Sequence, residues 1–345
     1  MKSQPGPQHR PTTDNQTQHT RLRSVVGTAL LMIALAACSS TGSKPGASST
    51  SSNPGTVNTP RGTVAFVTHQ APGDTFWDLV RRGAEAAAAK DNIDIQYSHD
   101  PDAAGQANLV RSAVNSKVAG IAVTLANPDA MASAVTAAVA AKIPVVAVNS
   151  GIDAWKAMGV LEYFGQDEEI AGEAAGDRLT HEGAKNTLCV IHEPGHVGLV
   201  ARCAGVAKAF TGQTQTLDVN GTDMSSVKTA IIAKLQQDRS IDRILTLGAP
   251  VALTALKAAG EANTYAKVAT FDTDAAVVQA IKNGTIEWAV DQQPFLQGYL
   301  AIDSLWLYLT NKNVIGGGRP TLTGPSFVDE SNIDSVAELA AAGTR

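Results

Sequence analysis

Aromatic residues are scarce in this chain, at 5% of 345 residues. The cores must therefore be built from aliphatic side chains, and an aromatic pair beside polar residues carries more information than usual. Basic runs are lacking too. No stretch of Lys and Arg exceeds Arg81-Arg82 and the formal net charge is −5, which argues against a nucleic-acid surface. The apolar run from Val25 to Ala37 falls short of the ~20 residues that span a bilayer. There is no Gly-x-Ser-x-Gly elbow to seat a nucleophile. Gly316-Gly317-Gly318 lacks the strand before and the helix after that a phosphate loop requires. Nothing calls for a cofactor or offers a nucleophile–base pair, so an enzyme is disfavoured.

What is present begins with an export signal. Arg10, Arg21 and Arg23 precede the run from Val25 to Ala37, which has the length of a signal-peptide h-region. It ends in Leu35-Ala36-Ala37-Cys38 followed by Ser39-Ser40, a junction that resembles a bacterial lipobox, with Cys38 lipidated and first in the mature chain. Residues 1–37 are then the signal peptide. Residues 38–60 are the lipidated Cys and a flexible tether of Ser, Thr, Gly, Pro and Asn with almost nothing to bury. Cleavage removes Lys2, three Arg and Asp14 from 27 basic and 32 acidic residues, leaving 23 and 31 and a net charge of −8. The mature protein is expected on the outer face of the cell membrane, held through Cys38, with its folded part starting near Arg61.

From there, strand-like runs alternate with helix-period segments. Strands are predicted at Thr63–Thr68, Ile93–Tyr97, Gly120–Thr124, Val145–Asn149 and Gly159–Phe164, with helices at Phe76–Asp91, Ala104–Lys117 and Asp129–Ala141. The pattern restarts near Gly165–Asp167. Its strands are Thr187–His192, Gln215–Val219, Ile241–Leu247, Lys267–Phe271 and Ile286–Val290. Its helices are Glu168–Glu182, Val197–Thr211, Ser225–Asp238, Pro250–Gly260 and Ala275–Asn283, and a long helix, Pro294–Leu309, follows. Repeated βαβ units predict an α/β fold of two doubly wound parallel-sheet lobes. The N-terminal lobe is expected at 61–165 with 293–322 and the C-terminal lobe at 166–292 with 323–345, the crossings forming a hinge.

Ligands of such sheets sit outside the carboxyl ends of the strands. The first of these ends organises the rest: Thr63–Thr68 leads to His69 and Gln70 and into a loop with Pro72, Gly73 and Asp74 that delivers Phe76-Trp77 to a helix start. The others carry Asn127, Asn149-Ser150-Gly151, His192-Glu193, Gly248-Ala249-Pro250, Phe271-Asp272-Thr273-Asp274 and Asp291-Gln292-Gln293. Amides and carboxylates hydrogen-bond hydroxyls, and aromatic faces cover C–H patches, so the set suits a neutral polyhydroxy ligand. Helix capping explains Asp272, Asp274 or Asn149 taken singly; recurrence at so many strand ends favours a ligand. His192-Glu193-Pro194-Gly195-His196 matches His-Glu-x-x-His literally. That pattern needs a helix to place both His on one face, and Pro194-Gly195 make this a turn, so no zinc protease and no metal set are expected. Cys189 falls in a strand and Cys203 in the following helix. Export permits a disulfide between them; two buried small hydrophobes are the other reading.

Taken with the lipobox, the chain from roughly Gly62 to Val328 resembles the periplasmic sugar-binding proteins of ABC importers, the ribose/galactose-type cluster that shares its core with LacI-type repressors. The markers are Asp74-Thr75-Phe76-Trp77, Ile143-Pro144-Val145-Val146 leading to Asn149, Gly165-Gln166-Asp167 before a helix, Arg202 with Gly205, Phe271-Asp272, and Gln292 before Pro294. The resemblance implies ligand contacts at Asp74, where the family usually has Asn, at Phe76 and Trp77 as stacking aromatics, and at Asn149, in place of an Asp. It implies the same for Arg202, Asp272 and, at the hinge, Gln292. Ser150 replaces an Arg, and Gly248-Ala249 replace the family's Asn-Asp, which argues against ribose. The implied function is that of a lipid-anchored, monomeric solute-binding protein. It would capture a pentose, hexose or cyclitol by hinge closure and deliver it to an ABC permease. The competing readings are a sensor presenting its ligand to a membrane receptor, an enzyme on the same fold, and a repressor, which would need a DNA-binding headpiece.

Overall fold

The structure, a computed structural model, describes residues 57–345; the expected signal peptide, the Cys38 junction and the tether as far as residue 56 lie outside the described residues. The first half runs β1 (Gly62–Thr68), α1 (Phe76–Asp91), β2 (Ile93–His99), α2 (Ala103–Asn115), β3 (Gly120–Thr124), α3 (Pro128–Ala140), β4 (Val145–Asn149) and β5 (Glu162–Gly165). The second runs α4 (Glu168–His181), β6 (Asn186–Ile191), α5 (Val197–Ala209), β7 (Gln213–Asp218), α6 (Met224–Gln237), β8 (Arg243–Thr246), α7 (Ala249–Glu261), β9 (Lys267–Phe271), α8 (Ala275–Lys282) and β10 (Ile286–Asp291). Then come α9 (Pro294–Asn311), β11 (Thr321–Leu322), β12 (Ser326–Asp329) and α10 (Ile333–Ala341).

Two six-stranded sheets result, in the orders β11-β5-β4-β3-β1-β2 and β12-β10-β9-β8-β6-β7. The expected two parallel-sheet α/β lobes are what the structure has. Among the described residues only β12 pairs antiparallel, on β10. Every residue of β3, β4, β6 and β8 is buried, as central parallel strands must be when helices cover both faces. Alternate side chains go to opposite faces: Ile121 and Val123 meet Val110 and Val135 on one side, and Ala122 meets Val80 and Leu305 on the other.

The chain passes between the sheets after β5, after β10 and after β11. The second passage sends α9 back onto α1. The two helices approach so closely that a Cβ on Gly83 would strike the Phe295 carbonyl and one on Gly298 the Val80 carbonyl. The same device joins α4 and α5, where a Cβ on Gly172 would strike the Arg202 carbonyl and one on Gly205 the Glu169 carbonyl.

Helix and strand ends agree with expectation to a residue or two, with three differences. First, β5 begins at Glu162 and not at Gly159, because Gly159 adopts φ 76° and the Val160 N–H turns back to the Trp155 carbonyl. Second, β11, β12 and α10 have no counterpart among the expected elements; the strands are two and four residues long and lie at sheet edges, too short for a periodicity signal. Third, order begins before Arg61. The Val57 N–H donates to the Lys90 carbonyl, Asn92 Nδ2 to the Thr59 carbonyl at 2.7 Å, and Trp306 Nε1 to Thr59 Oγ1 at 3.2 Å. No helix of the described residues is long and apolar enough to cross a membrane.

Cys189 on β6 and Cys203 on α5 are bonded, with Cα atoms 5.9 Å apart, and both are buried in the core beneath α4 and α5. Closing a loop of this length stabilises by about 3 kcal/mol. Reductant should lower the Tm of the wild type by about 5–10 °C and leave a Cys189→Ala/Cys203→Ala variant unchanged, as read by calorimetry.

Candidate ligand-binding site

The carboxyl ends of both sheets open on one cavity of about 190 Å³, lined by all seven residues singled out above. Asp74 comes from the β1–α1 loop, Phe76 and Trp77 from the first turn of α1, and Asn149 from the end of β4. Arg202 projects from α5, Asp272 follows β9, and Gln292 lies in the crossing after β10. Phe76 and Trp77 are also core residues, packed with Val64 and Phe66 and edge-to-face with each other at 5.1 Å. Core packing and cavity wall are here the same two side chains.

Four of the seven are joined. Asn149 Nδ2 donates to Gln292 Oε1 at 3.0 Å, Gln292 Nε2 donates to Asp272 Oδ1 at 2.7 Å, and Asp272 Oδ2 lies 3.7 Å from Arg202 Nη1. Gln297 on α9 steadies the middle of the chain, its Nε2 donating to Gln292 Oε1 at 2.9 Å. Asn149 and Asp272 both sit at positive φ, 68° and 64°, a conformation that costs free energy in a non-glycine residue and recurs at functional sites. The capping alternative fails for Asp272: Asp274 caps α8, accepting from the Val277 N–H at 2.7 Å. Asp74 does both jobs, accepting from the Phe76 N–H at 3.1 Å while it lines the cavity.

The charge that balances Arg202 is Glu168, at the start of α4. Arg202 Nε and Nη2 donate to its two oxygens at 2.5 and 3.0 Å, with both side chains about 95% buried. Nη1 donates to the Leu247 carbonyl at 3.2 Å, and the guanidinium lies 4.8 Å from the Phe271 ring. The glycine pair between α4 and α5 is what lets these helices come close enough for this ion pair. No other acid of the cavity is paired with a cation this closely, Asp272 lying 3.7 Å from the same guanidinium. Burial pushes Asp272 up to about 7, Glu193 up to about 7 and Asp74 up to about 6.

Two histidines close the cavity across the lobes. His196 Nδ1 accepts from the Gly198 N–H at 3.0 Å, so the neutral ring carries its hydrogen on Nε2, which faces His69 Nε2 at 3.2 Å. His69 Nδ1 bonds Thr124 Oγ1 at 2.7 Å. Burial lowers His69 to about 3 and His196 well below the usual imidazole range, so both are neutral at pH 7. The Val197 N–H donates to the Ala126 carbonyl at 3.1 Å beside them, a second link between lobes.

His69, Glu193 and His196 each bring a donor atom within 4.8 Å of the others, a spacing compatible with a metal ion. The donor set fits poorly, because His196 has spent its lone pair on a backbone N–H and its other nitrogen holds a hydrogen. His192 is outside this group, so the two histidines of the His-Glu-x-x-His match do not converge.

Sequence reasoning misses Glu168 and His196 as site residues, and it places His69 at a strand end without settling whether it touches ligand. Glu168 looks like an ordinary acid in a helix first turn, and nothing local marks it as the partner of a residue 34 positions away. His69 and His192 follow strand ends, but the sequence offers no partner to give either a role.

The domain family described as "periplasmic binding protein domain" matches residues 64–313. A carbohydrate transporter from Acidothermus cellulolyticus 11B, solved in complex with myo-inositol, is 56% identical over 83% of this chain and 100% of its own, with a TM-score of 0.82. A solute-binding protein from Agrobacterium vitis with bound D-fucose is 26% identical over 80% of this chain and 99% of its own, with a TM-score of 0.72. The xylose/arabinose-binding protein of Sulfolobus acidocaldarius is 26% identical over 78% of this chain and 71% of its own length. The chain belongs to the periplasmic binding protein family, beside the sugar-binding proteins of ABC transporters.

Proposed function

We propose that this chain is a lipid-anchored solute-binding protein that captures a small polyol, a cyclitol of the myo-inositol kind first, and hands it to the permease of an ABC importer. The observation that carries this reading is the convergence of Asp74, Phe76, Trp77, Asn149, Arg202, Asp272 and Gln292, drawn from both lobes and one crossing, on a single cavity. The 56% identical relative was solved in complex with myo-inositol, a ring whose polar groups are all hydroxyls, the kind of ligand that amides, carboxylates and aromatics suit. The moving bodies are 61–165 with 293–322 and 166–292 with 323–345, acting as a monomer tethered through Cys38. Contacts to both bodies exist together only in the closed form, so the ligand shifts the population toward closure.

Thermal-shift measurements on the mature chain test this. Myo-inositol at 100 times its Kd should stabilise the protein by about 2.7 kcal/mol. A panel of myo-inositol, D-fucose, D-xylose, L-arabinose and D-glucose that gives no shift at all overturns the reading.

A further inference from the structure

Glu193 lines the cavity but stands outside the hydrogen-bonded chain that joins Asn149, Gln292, Asp272 and Arg202. It sits in the turn between β6 and α5, and that turn is pinned at several points. The His196 N–H donates to the Glu193 carbonyl at 3.1 Å and the Gly221 N–H to the His192 carbonyl at 2.8 Å. The Val197 N–H holds the far end against Ala126 of the other lobe. From this fixed base the Glu193 side chain reaches the cavity with 29% of it exposed.

A carboxylate oxygen of Glu193 lies within 4.8 Å of a ring nitrogen of His196 and, across the lobe boundary, of His69. Neither ring has a hydrogen to give it. The His196 hydrogen on Nε2 points to His69 Nε2 at 3.2 Å. The His69 hydrogen is then on Nδ1, directed to Thr124 Oγ1 at 2.7 Å. His192 Nε2 is 3.8 Å away, beyond hydrogen-bond range. Among the described residues, then, these neighbours leave the Glu193 carboxyl without a donor.

Asp74 enters the same cavity from the opposite lobe. After burial, its charge is the next cause of the rise in the Glu193 carboxyl to about 7, against the pull of Arg202. In an open cleft, water solvates both acids. A ligand that fills the closed cavity displaces that water, and a buried acceptor left without a hydrogen is costly. The ligand must bring the hydrogen, and a polyol has one on each hydroxyl.

We propose that Glu193 is a further ligand contact: it accepts a hydroxyl hydrogen of the bound polyol from the C-terminal lobe, opposite Asp74, and so selects for a hydroxyl at that ring position. The inference rests on the polyol-capture reading and sharpens its specificity. Titration calorimetry of the mature chain at pH 8 decides it, with myo-inositol and its monodeoxy analogues, each lacking one hydroxyl, as probes. Glu193→Ala should weaken myo-inositol by about 10-fold or more, the loss of a bond to a charged acceptor. Glu193→Gln, which keeps an acceptor without the charge, should fall between the two. One analogue should bind the wild type about 10-fold or more weaker than myo-inositol, yet bind Glu193→Ala within about 2-fold of it. A merely structural role would weaken every probe by the same factor. With no donor among its neighbours to lose, the empty Glu193→Ala protein should melt no more than about 2 °C below the wild type. Unchanged affinity in Glu193→Ala, a uniform loss across the probes, or a wild type that ignores myo-inositol but binds a sugar overturns this inference and leaves polyol capture standing. A wild type that binds neither myo-inositol nor any of D-fucose, D-xylose, L-arabinose and D-glucose overturns both.

Discussion

Asp272→Asn is expected to abolish ligand capture while making the empty protein more stable at pH 8. Asp272 is 8% exposed, receives one direct hydrogen bond, from Gln292, and sits 3.7 Å from Arg202. Burial raises its carboxyl to about 7 against the pull of Arg202. An acid whose folded-state pKa lies above its unfolded value holds a proton in the fold that the unfolded chain has released. Its contribution is therefore favourable below that window and is lost as pH rises from about 4 to about 7. Asn keeps the shape and drops the charge. The variant should gain on the order of 2 kcal/mol at pH 8, seen as a Tm rise of about 5 °C, a smaller gain at pH 5, and nothing below about pH 4. Its affinity for the ligand should fall by about 100-fold or more, because a carboxylate acceptor has been exchanged for a weaker amide. Calorimetry at the two pH values, with and without ligand, checks both halves; a less stable variant at pH 8, or one that still binds, contradicts them.

Glu168→Leu should do the reverse to stability. Arg202 is 3% exposed, and burial opposes its charge; Glu168 first and Asp272 second outweigh that and raise its pKa. Removing Glu168 leaves a buried guanidinium whose remaining anion is 3.7 Å away. Breaking a buried pair in this way costs about 3–5 kcal/mol, a Tm loss of about 10 °C. Combining Glu168→Leu with Arg202→Met exchanges the pair for apolar packing, and this double variant should recover most of the loss without recovering ligand binding. A single variant as stable as the wild type would show that Arg202 is not held by this partner.

These two residues also mark how far the sequence can be read. Asp272 is legible because it ends a short apolar run before a helix, and strand ends of this fold face ligand. Asn149, Gln292 and the Asp74–Trp77 loop are found in the same way, and the structure brings them to one cavity. Glu168 is not legible. Its local setting, an acid just past the N-cap Asp167, has a complete explanation in the helix dipole, which hides a second role. β12 escapes notice for a different reason: four residues at an edge, pairing antiparallel with β10, carry too little periodicity to stand out from a loop.

The alternation of strand and helix, the restart that makes two lobes, and the set of polar groups at strand ends all follow from the order of residues. They rest on periodicity and turn chemistry, which are properties of neighbours along the chain. Which of those groups meet is a matter of tertiary packing. The Glu168–Arg202 pair depends on how closely α4 and α5 pack, and the His69–His196 contact on how the lobes face each other. Each is decided by ångströms between distant parts of the chain, set by packing and not by local propensity.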